Sequence, residues 1–120
     1  MKKIALTFAL VLTTALTFAQ DNEKVTKYVT TFPNGEEAIT ITDKSSSEVL
    51  QLASADKFYK YEILESSNHE LVHGASNDGK VAAIDKSKFT DGTYTLKVYT
   101  DDFVITSDIT INNKVEKTVQ

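Results

Sequence analysis

The sequence DGTYTLKVYT, residues 91–100, contains the alternation that decides the fold class. Tyr94, Leu96 and Val98 occupy every second position with polar residues between them, which is the period of a β-strand with one buried face. Asp91-Gly92, immediately before this run, is a turn signal. Because β-branched and aromatic side chains lose rotamer freedom in a helix, the stretch is predicted to be a strand.

The rest of the chain repeats this arrangement of short β-branched and aromatic runs between turn residues. The predicted strands are 25–32, 38–42, 48–53, 57–65, 70–73, 81–84 and 103–111, and the predicted turns include Pro33-Asn34-Gly35, Ser66-Ser67-Asn68 and Asn77-Asp78-Gly79. The side chains predicted to face inward are Ile39, Ile41, Leu50, Leu52, Tyr61, Ile63, Leu71, Ile84, Tyr94, Leu96, Val98, Ile105, Ile109 and Ile111. Residues 112–120 are predicted to be either a frayed tail or a last edge strand.

Short strands with turn signals about every 8–12 residues are typical of an all-β domain. The pattern predicts an immunoglobulin-like antiparallel β-sandwich of about seven strands, with one core between two sheets. A small open barrel is the alternative closure of the same strands.

The N-terminal residues have the three parts of a secretory signal peptide. Lys2-Lys3 is positively charged, residues 4–12 are almost continuously apolar, and small residues stand one and three positions before Gln20. Cleavage is predicted between Ala19 and Gln20, so that 1–19 is the signal peptide and 20–120 a single domain. The apolar run is shorter than the roughly 20 residues of a spanning helix, so no membrane span is predicted after its removal.

Composition limits the partners of the predicted mature chain. It keeps 11 of the 13 lysines and all 17 acidic residues, which gives a formal charge of −6 and makes nucleic acid a poor electrostatic partner. The sequence has no arginine, so the usual bidentate clamp on phosphate or carboxylate is missing. It also has no cysteine, so the exported domain has to remain folded without disulfides.

The titratable residues do not form a recognisable catalytic or metal-binding pattern. His69 and His73 would lie about 13 Å apart in a strand, too far to ligate one ion. The adjacent carboxylates Glu36-Glu37 and Asp101-Asp102 are predicted to be solvated turn and edge charges rather than an acid–base pair. Aspartates in turns leave calcium open as a ligand, although no stretch has the calcium-loop spacing.

The sequence also lacks the parts of a hydrolase or a phosphate-binding enzyme. Ser45-Ser46-Ser47 has no Gly-X-Ser-X-Gly frame, cysteine is absent, and the four glycines are scattered singly. We therefore predict no catalytic residue, no cofactor, no metal ligand and a non-enzymatic role.

Three segments carry a resemblance to a known family. They are Tyr61-Glu62-Ile63, Leu71-Val72 and residues 84–98, IDKSKFTDGTYTLKV, in which Phe89 stands where the family has leucine. With these segments, Phe58 to Ile111 resembles the type A C-terminal sorting domain of type IX secretion cargo. Phe32-Pro33-Asn34-Gly35 also resembles the family's aromatic-Pro-Asn-Pro entry. The resemblance implies a β-sandwich with a sorting role, whereas the motif also has a plain structural explanation: Gly92 permits the turn and Tyr94 buries its ring.

Together these features predict a small secreted module, exported to the periplasm, the cell surface or the medium. We expect it to present an interaction surface to a protein or envelope component whose identity the sequence does not indicate; nor does the sequence indicate an oligomeric state. The alternatives are a type IX sorting-type domain and a glycan- or calcium-binding module. The glycan alternative requires Tyr28, Tyr59 or Tyr99 to form a contiguous exposed patch.

Overall fold

The computed structural model describes residues 7–8, 12–20 and 23–112, and the side chains of 14–19 and 23–112. The strands are β1 (Thr7–Phe8), β2 (Leu12–Gln20), β3 (Glu23–Thr31), β4 (Glu37–Lys44), β5 (Val49–Glu65), β6 (Leu71–Asp85), β7 (Gly92–Thr100) and β8 (Phe103–Ile111), with one short 3-10 helix at Lys86–Lys88. The prediction of an all-β chain is confirmed. Over these residues, no helix has the length and hydrophobicity to cross a membrane.

The strands form one strongly curved sheet. Its order is β1-β8-β7-β5-β4-β3-β2, with β6 paired to β5, and the main strands are antiparallel while the two-residue β1 pairs with β8 in parallel. The sheet curls into a half-barrel. Curvature brings β3 near β8, where the Tyr28 hydroxyl donates to the carbonyl oxygen of Thr110 at 3.4 Å and accepts from the Thr110 amide at 3.3 Å.

The longest strand, β5, changes partners half-way along. Its first half pairs with β4, up to Ser54 opposite Ile39, whereas its second half pairs with β7 from Phe58 onward. Between these halves, Ala53 pairs with Val81 and Phe58 pairs with Gly79. The four residues 54–57 of β5 therefore lie opposite a single residue of β6, Lys80. An irregularity of this kind bends the strand and increases its twist. The sequence predicted two separate strands, and the structure instead has one bent strand.

The predicted turn at Asn77-Asp78-Gly79 is wrong, because these residues lie inside β6. Phe58 pairs with Gly79 and Lys60 pairs with residue 76, so Asn77 and Asp78 together face one residue of β5. This arrangement is a β-bulge, and Gly79 has a φ of +143°. Residues that tolerate the dihedral angles of turns also tolerate those of β-bulges. The sequence therefore correctly indicated an irregular backbone at these residues, but not that they lie inside a strand.

The core contains almost all of the residues predicted to face inward. All of them are buried except Leu71, which is 55% exposed. Leu71 begins β6 directly after the exposed turn in which His69 has a φ of +60°, and there it pairs with Leu64 at the outer end of the hairpin. The prediction for Leu71 is therefore wrong. The buried apolar residues that the prediction missed are Val25, Tyr28, Ala38, Phe58, Phe89 and Val104.

A buried ion pair fixes the 3-10 helix to the sheet. Lys86 is only 5% exposed, and its Nζ donates to Asp43 Oδ1 at 2.7 Å and to the carbonyl oxygen of Lys44 at 3.3 Å. A lysine buried in this way requires such partners, since an unpaired ammonium out of water is strongly destabilising. The crossover between β6 and β7 is thereby attached to the end of β4.

Residues 12–19 of the predicted signal peptide lie in β2 (Leu12–Gln20). It pairs with β3 from Leu12 opposite Thr31 to Gln20 opposite Glu23, and the side chains of residues 14–19 are all exposed. The strand therefore adds hydrogen bonds to the edge of β3, while its described side chains, those of residues 14–19, stay outside the core. Cleavage after Ala19 stays a prediction. At the other end Asn112 is exposed and follows β8, and the remainder of the predicted tail or edge strand lies outside the described residues.

The two leucines with opposite burial provide a test of this fold. Replacing Leu96, which is fully buried, by alanine is expected to lower the free energy of unfolding by about 2–5 kcal/mol, because a cavity remains in the core. The matched change Leu71→Ala is expected to cost less than about 0.5 kcal/mol. Urea denaturation followed by circular dichroism measures both, and equal losses would contradict the arrangement.

Candidate functional site

Residues 91–100 form β7 (Gly92–Thr100) and the end of the turn before it. Tyr94 is buried, and its hydroxyl donates to the carbonyl oxygen of Thr90 at 2.7 Å. Gly92 has a φ of +157°, a backbone conformation that residues with a side chain rarely adopt, and Leu96 and Val98 are fully buried. Asp91 lies exposed at the turn. These contacts bind the turn to the core.

A shallow groove of about 430 Å³ opens beside this turn. Its lining residues supply hydroxyl groups and two carboxylates: Glu65, Ser66, Ser67, Thr90, Asp91, Gly92, Thr93 and Tyr94. Much of this capacity is already used inside the protein, since the Ser66 amide donates to the Thr93 carbonyl at 3.2 Å and Ser66 Oγ lies 3.3 Å from Thr95 Oγ1. The groove therefore lies between the β5–β6 turn and β7, and some of its polar groups are already bonded within the protein.

A second, smaller groove of about 290 Å³ lies at the bend of β5. Its walls carry charges of both signs, from Asp56, Lys57, Lys80, Thr100, Asp101 and Asp102. Thr100 Oγ1 accepts from the amides of Asp102 at 3.3 Å and Phe103 at 2.9 Å, which closes the β7–β8 turn. Asp101 and Asp102 are thus exposed turn residues, as predicted from the sequence.

The two histidines occupy different environments. His69 lies in the exposed β5–β6 turn, where its amide donates to the carbonyl oxygen of Glu65 at 2.8 Å. The ring of His73 packs between Tyr61 and Phe89, with centroid distances of 5.8 and 5.9 Å. In the described part of the chain, no three His, Asp or Glu side chains are grouped so that they could hold a metal ion.

The serine run serves the loop in which it lies. Ser45 Oγ accepts from the Lys24 amide at 3.1 Å, and the Ser46 hydroxyl donates to the carboxylate of Glu23. Ser47 Oγ accepts from the Val49 amide at 3.1 Å. Each hydroxyl stabilises the connection between β4 and β5 or its contact with the start of β3.

The outer face of β5 and β7 carries an exposed cluster that we call the tyrosine surface, formed by Tyr59, Lys60, Glu62 and Tyr99. The two aromatic rings are 6.1 Å apart, and Lys60 Nζ lies 4.4 Å from the centroid of the Tyr99 ring. The Tyr99 hydroxyl donates to Glu62 Oε1 at 2.7 Å, and Lys60 Nζ is 3.7 Å from Glu62 Oε2. Tyr59 remains 49% exposed at the edge of this cluster.

A second β-bulge, in β5 opposite β7, creates this arrangement: Phe58 pairs with Thr100 and Lys60 with Tyr99, so Tyr59 is an extra residue. Phe58 and Tyr61 are both buried, so that Tyr59 and Lys60 between them both lie on the outer side, a departure from strict alternation. Lys60 then pairs directly with Tyr99 across the strands. Cross-strand pairs of this kind lie within reach of long side chains, and a cation over an aromatic face is attractive.

The environment of Tyr99 makes its hydroxyl a persistent hydrogen-bond donor. Burial, together with the hydrogen bond to the Glu62 carboxylate and the negative charge of that group, raises the pKa of Tyr99 to about 12. Burial also raises the pKa of Tyr61, which lies on the inner face. The contact from Tyr99 to Glu62 is therefore maintained at any physiological pH.

The third tyrosine considered for an exposed patch lies elsewhere. Tyr28 is 9% exposed, and its hydroxyl is bonded to the backbone of Thr110. The structure thus brings together Tyr59 and Tyr99 and separates Tyr28 from them. Lys60 and Glu62 were not predicted from the sequence as site residues, because their positions over and beside Tyr99 depend on the register between β5 and β7.

Comparison with known proteins gives no relative for this chain: no family model, no curated protein and no solved structure matches it.

The raised pKa of Tyr99 predicts a stability loss at high pH. Because its pKa in the folded protein lies above the ordinary value of 10.0, its contribution is complete below pH 10 and is lost as the pH rises through about 12. Tyr99→Phe should remove the latest-titrating tyrosine from the near-ultraviolet absorbance titration. Tyr59→Phe is the matched control, and a Tyr99→Phe titration identical to that of the unaltered chain would contradict the assignment.

Proposed function

We propose that this chain is an exported, non-enzymatic β-module that uses the tyrosine surface to bind a protein or another envelope component. The observation that carries the proposal is an aromatic pair in which Tyr59 is exposed and its partly buried partner, Tyr99, is already held by Lys60 and Glu62. Tyrosine is enriched at binding surfaces because it offers a large rigid contact with a polar tip. A side chain ordered before binding also loses less entropy when the partner arrives.

The finer fold class belongs to the same proposal. We infer an immunoglobulin-like sandwich in which the half of the sheet containing β3 and β4 faces the half containing β7 and β8. Two observations support it: the bend at residues 54–57 of β5 and the Tyr28 hydroxyl that joins β3 to Thr110. The bond from Tyr94 to the Thr90 carbonyl is similar to the tyrosine corners found in such sandwiches.

Export is inferred from the N-terminal residues. The positive start, the apolar run and the small residues before Gln20 support cleavage after Ala19 and delivery to the periplasm, the cell surface or the medium. The absence of cysteine is compatible with export because Leu96, Ile63 and their neighbours form a continuous buried core. A partner at the envelope would then meet the tyrosine surface directly.

Removing the aromatic pair should remove binding. We expect labelled protein to bind saturably to envelope fractions of the source cells, and Tyr59→Ala or Tyr99→Ala to weaken that binding about tenfold or more, as for aromatic interface anchors. Leu71→Ala, an exposed apolar position on β6, is the matched control and should bind normally. Equal binding by all four proteins would contradict the proposal, and competition by free glycans would assign the surface to the glycan-binding alternative.

A second candidate is a type IX sorting-type domain. The supporting observation is that the resembling segments are neighbours in the sheet, with Tyr61 opposite Val98 on β7 and Ile63 opposite both Leu96 and His73. The motif therefore belongs to one structural unit, which a transport system could recognise as a whole.

A fusion distinguishes this candidate from the first. A reporter placed between a signal peptide and Lys24–Gln120 is expected to remain in the periplasm if the chain is only a binding module. Appearance of the reporter at the cell surface or in the medium would establish the sorting role. The same reporter with the signal peptide alone is the control, and fractionation with immunoblotting provides the measurement.

A further inference from the structure

The edge of β3 accepts a strand whose described side chains lie outside the core. All nine residues of β2 pair with β3 in unbroken antiparallel register. Nevertheless, the side chains of residues 14–19 are exposed, and none of them belongs to the hydrophobic core cluster. The attachment of β2 consequently depends on backbone hydrogen bonds and on contacts along the outer face of the sheet.

Val25 is the apolar anchor of that outer face. It is only 2% exposed, yet it is not part of the core cluster that contains Tyr28. Its cross-strand neighbours are Phe18 on β2 and Lys44 on β4. Directly opposite side chains have Cβ atoms about 5 Å apart, so Phe18 is placed to cover Val25.

Cleavage after Ala19 would remove both contributions together. Phe18 would leave Val25, and the N–H and C=O groups on that edge of residues 24–31 would lose their partners. The strand itself would stay in place, because β4 pairs with its other edge and Tyr28 bonds to Thr110. A long, rigid strand with an unpaired edge is a ready template for another extended chain.

We propose that processing converts the β3 edge into a docking site for an extended segment of a partner protein, which adds to the sheet as an antiparallel strand. The expected chemistry of the segment follows from β2, which pairs with β3 and contains no charged residue. Its apolar residue lies opposite Val25, as Phe18 does, and the exposed Lys24 and Lys27 disfavour a basic segment. This inference rests on the predicted export and cleavage, but not on the tyrosine surface.

The leader strand itself supplies the probe. The chain beginning at Gln20 is first checked for cooperative unfolding by circular dichroism and then titrated calorimetrically with a synthetic peptide of residues 12–20. We expect one-to-one binding and a raised unfolding temperature. The peptide change Phe18→Ala should weaken binding about fivefold, and Leu16→Pro should abolish it because proline cannot donate to the ladder.

Matched controls separate this site from the others. The peptide change Thr17→Ala removes only an exposed contact between the Thr17 and Thr26 hydroxyls, and it should bind almost normally. The protein variant Tyr59→Ala should bind the peptide like the unaltered protein, so that loss of envelope binding and loss of peptide binding are distinguishable. A folded processed chain that ignores the peptide, or that occupies the edge with a second copy and dimerises, would overturn the proposal.

A second measurement applies if the processed chain does not fold by itself. The full chain is folded first and then cut by a site-specific protease whose site is placed at residues 21–22. We expect the cut leader strand to remain bound after gel filtration and to exchange for labelled peptide of residues 12–20. A protein that loses the strand and takes up no peptide, or that never exchanges it, would contradict docking at this edge.

Discussion

The bend of β5 at residues 54–57 is the constraint on which the rest of this structure depends. Four residues of β5 are matched there by one residue of β6, and beyond the bend β5 leaves β4 and pairs with β7. A straight strand of this length would hold one flat sheet with an exposed apolar face. The bend turns the two halves of the sheet toward a common core, which contains Ile41 and Leu52 from one half and Leu96 and Ile105 from the other.

The candidate site is a consequence of the same hairpin. Tyr59 is an extra residue in β5, because Phe58 pairs with Thr100 and Lys60 pairs with Tyr99. The buried positions of β5 therefore shift from Phe58 to Tyr61, and two consecutive side chains lie outside. One of them, Lys60, reaches the Tyr99 ring, and the hydroxyl of Tyr99 reaches Glu62. An irregularity that protects the core thus also organises the exposed aromatic pair. Bulges commonly redirect a side chain in this way.

The two sides of the sheet are stabilised by different contacts. At one side β8 receives the Tyr28 hydroxyl on the backbone of Thr110, which satisfies groups that would otherwise face water. At the other side the leader strand β2 covers β3 through backbone bonds and the outer-face neighbours Phe18 and Val25. The Tyr28 side chain belongs to the hydrophobic core, whereas the side chains of residues 14–19 in β2 do not. Removal of those β2 side chains would therefore leave no cavity in the core. Residues 14–19 of β2 are therefore paired with β3 while their side chains stay outside the core.

Alternation along residues 92–100 and 103–111 was enough to predict the strands, their buried faces and the all-β class, since a period of two is a local property of the backbone. Local signals could not place the bulges: Asn77-Asp78-Gly79 is compatible with a turn or with an irregular strand, and Leu71 alternates correctly but lies at an exposed strand end. Likewise, nothing in the sequence pairs Lys60 and Glu62 with Tyr99. Tertiary structure decided these features, because register between distant strands determines which side chains meet, and a shift of one residue moves each of them to the opposite face.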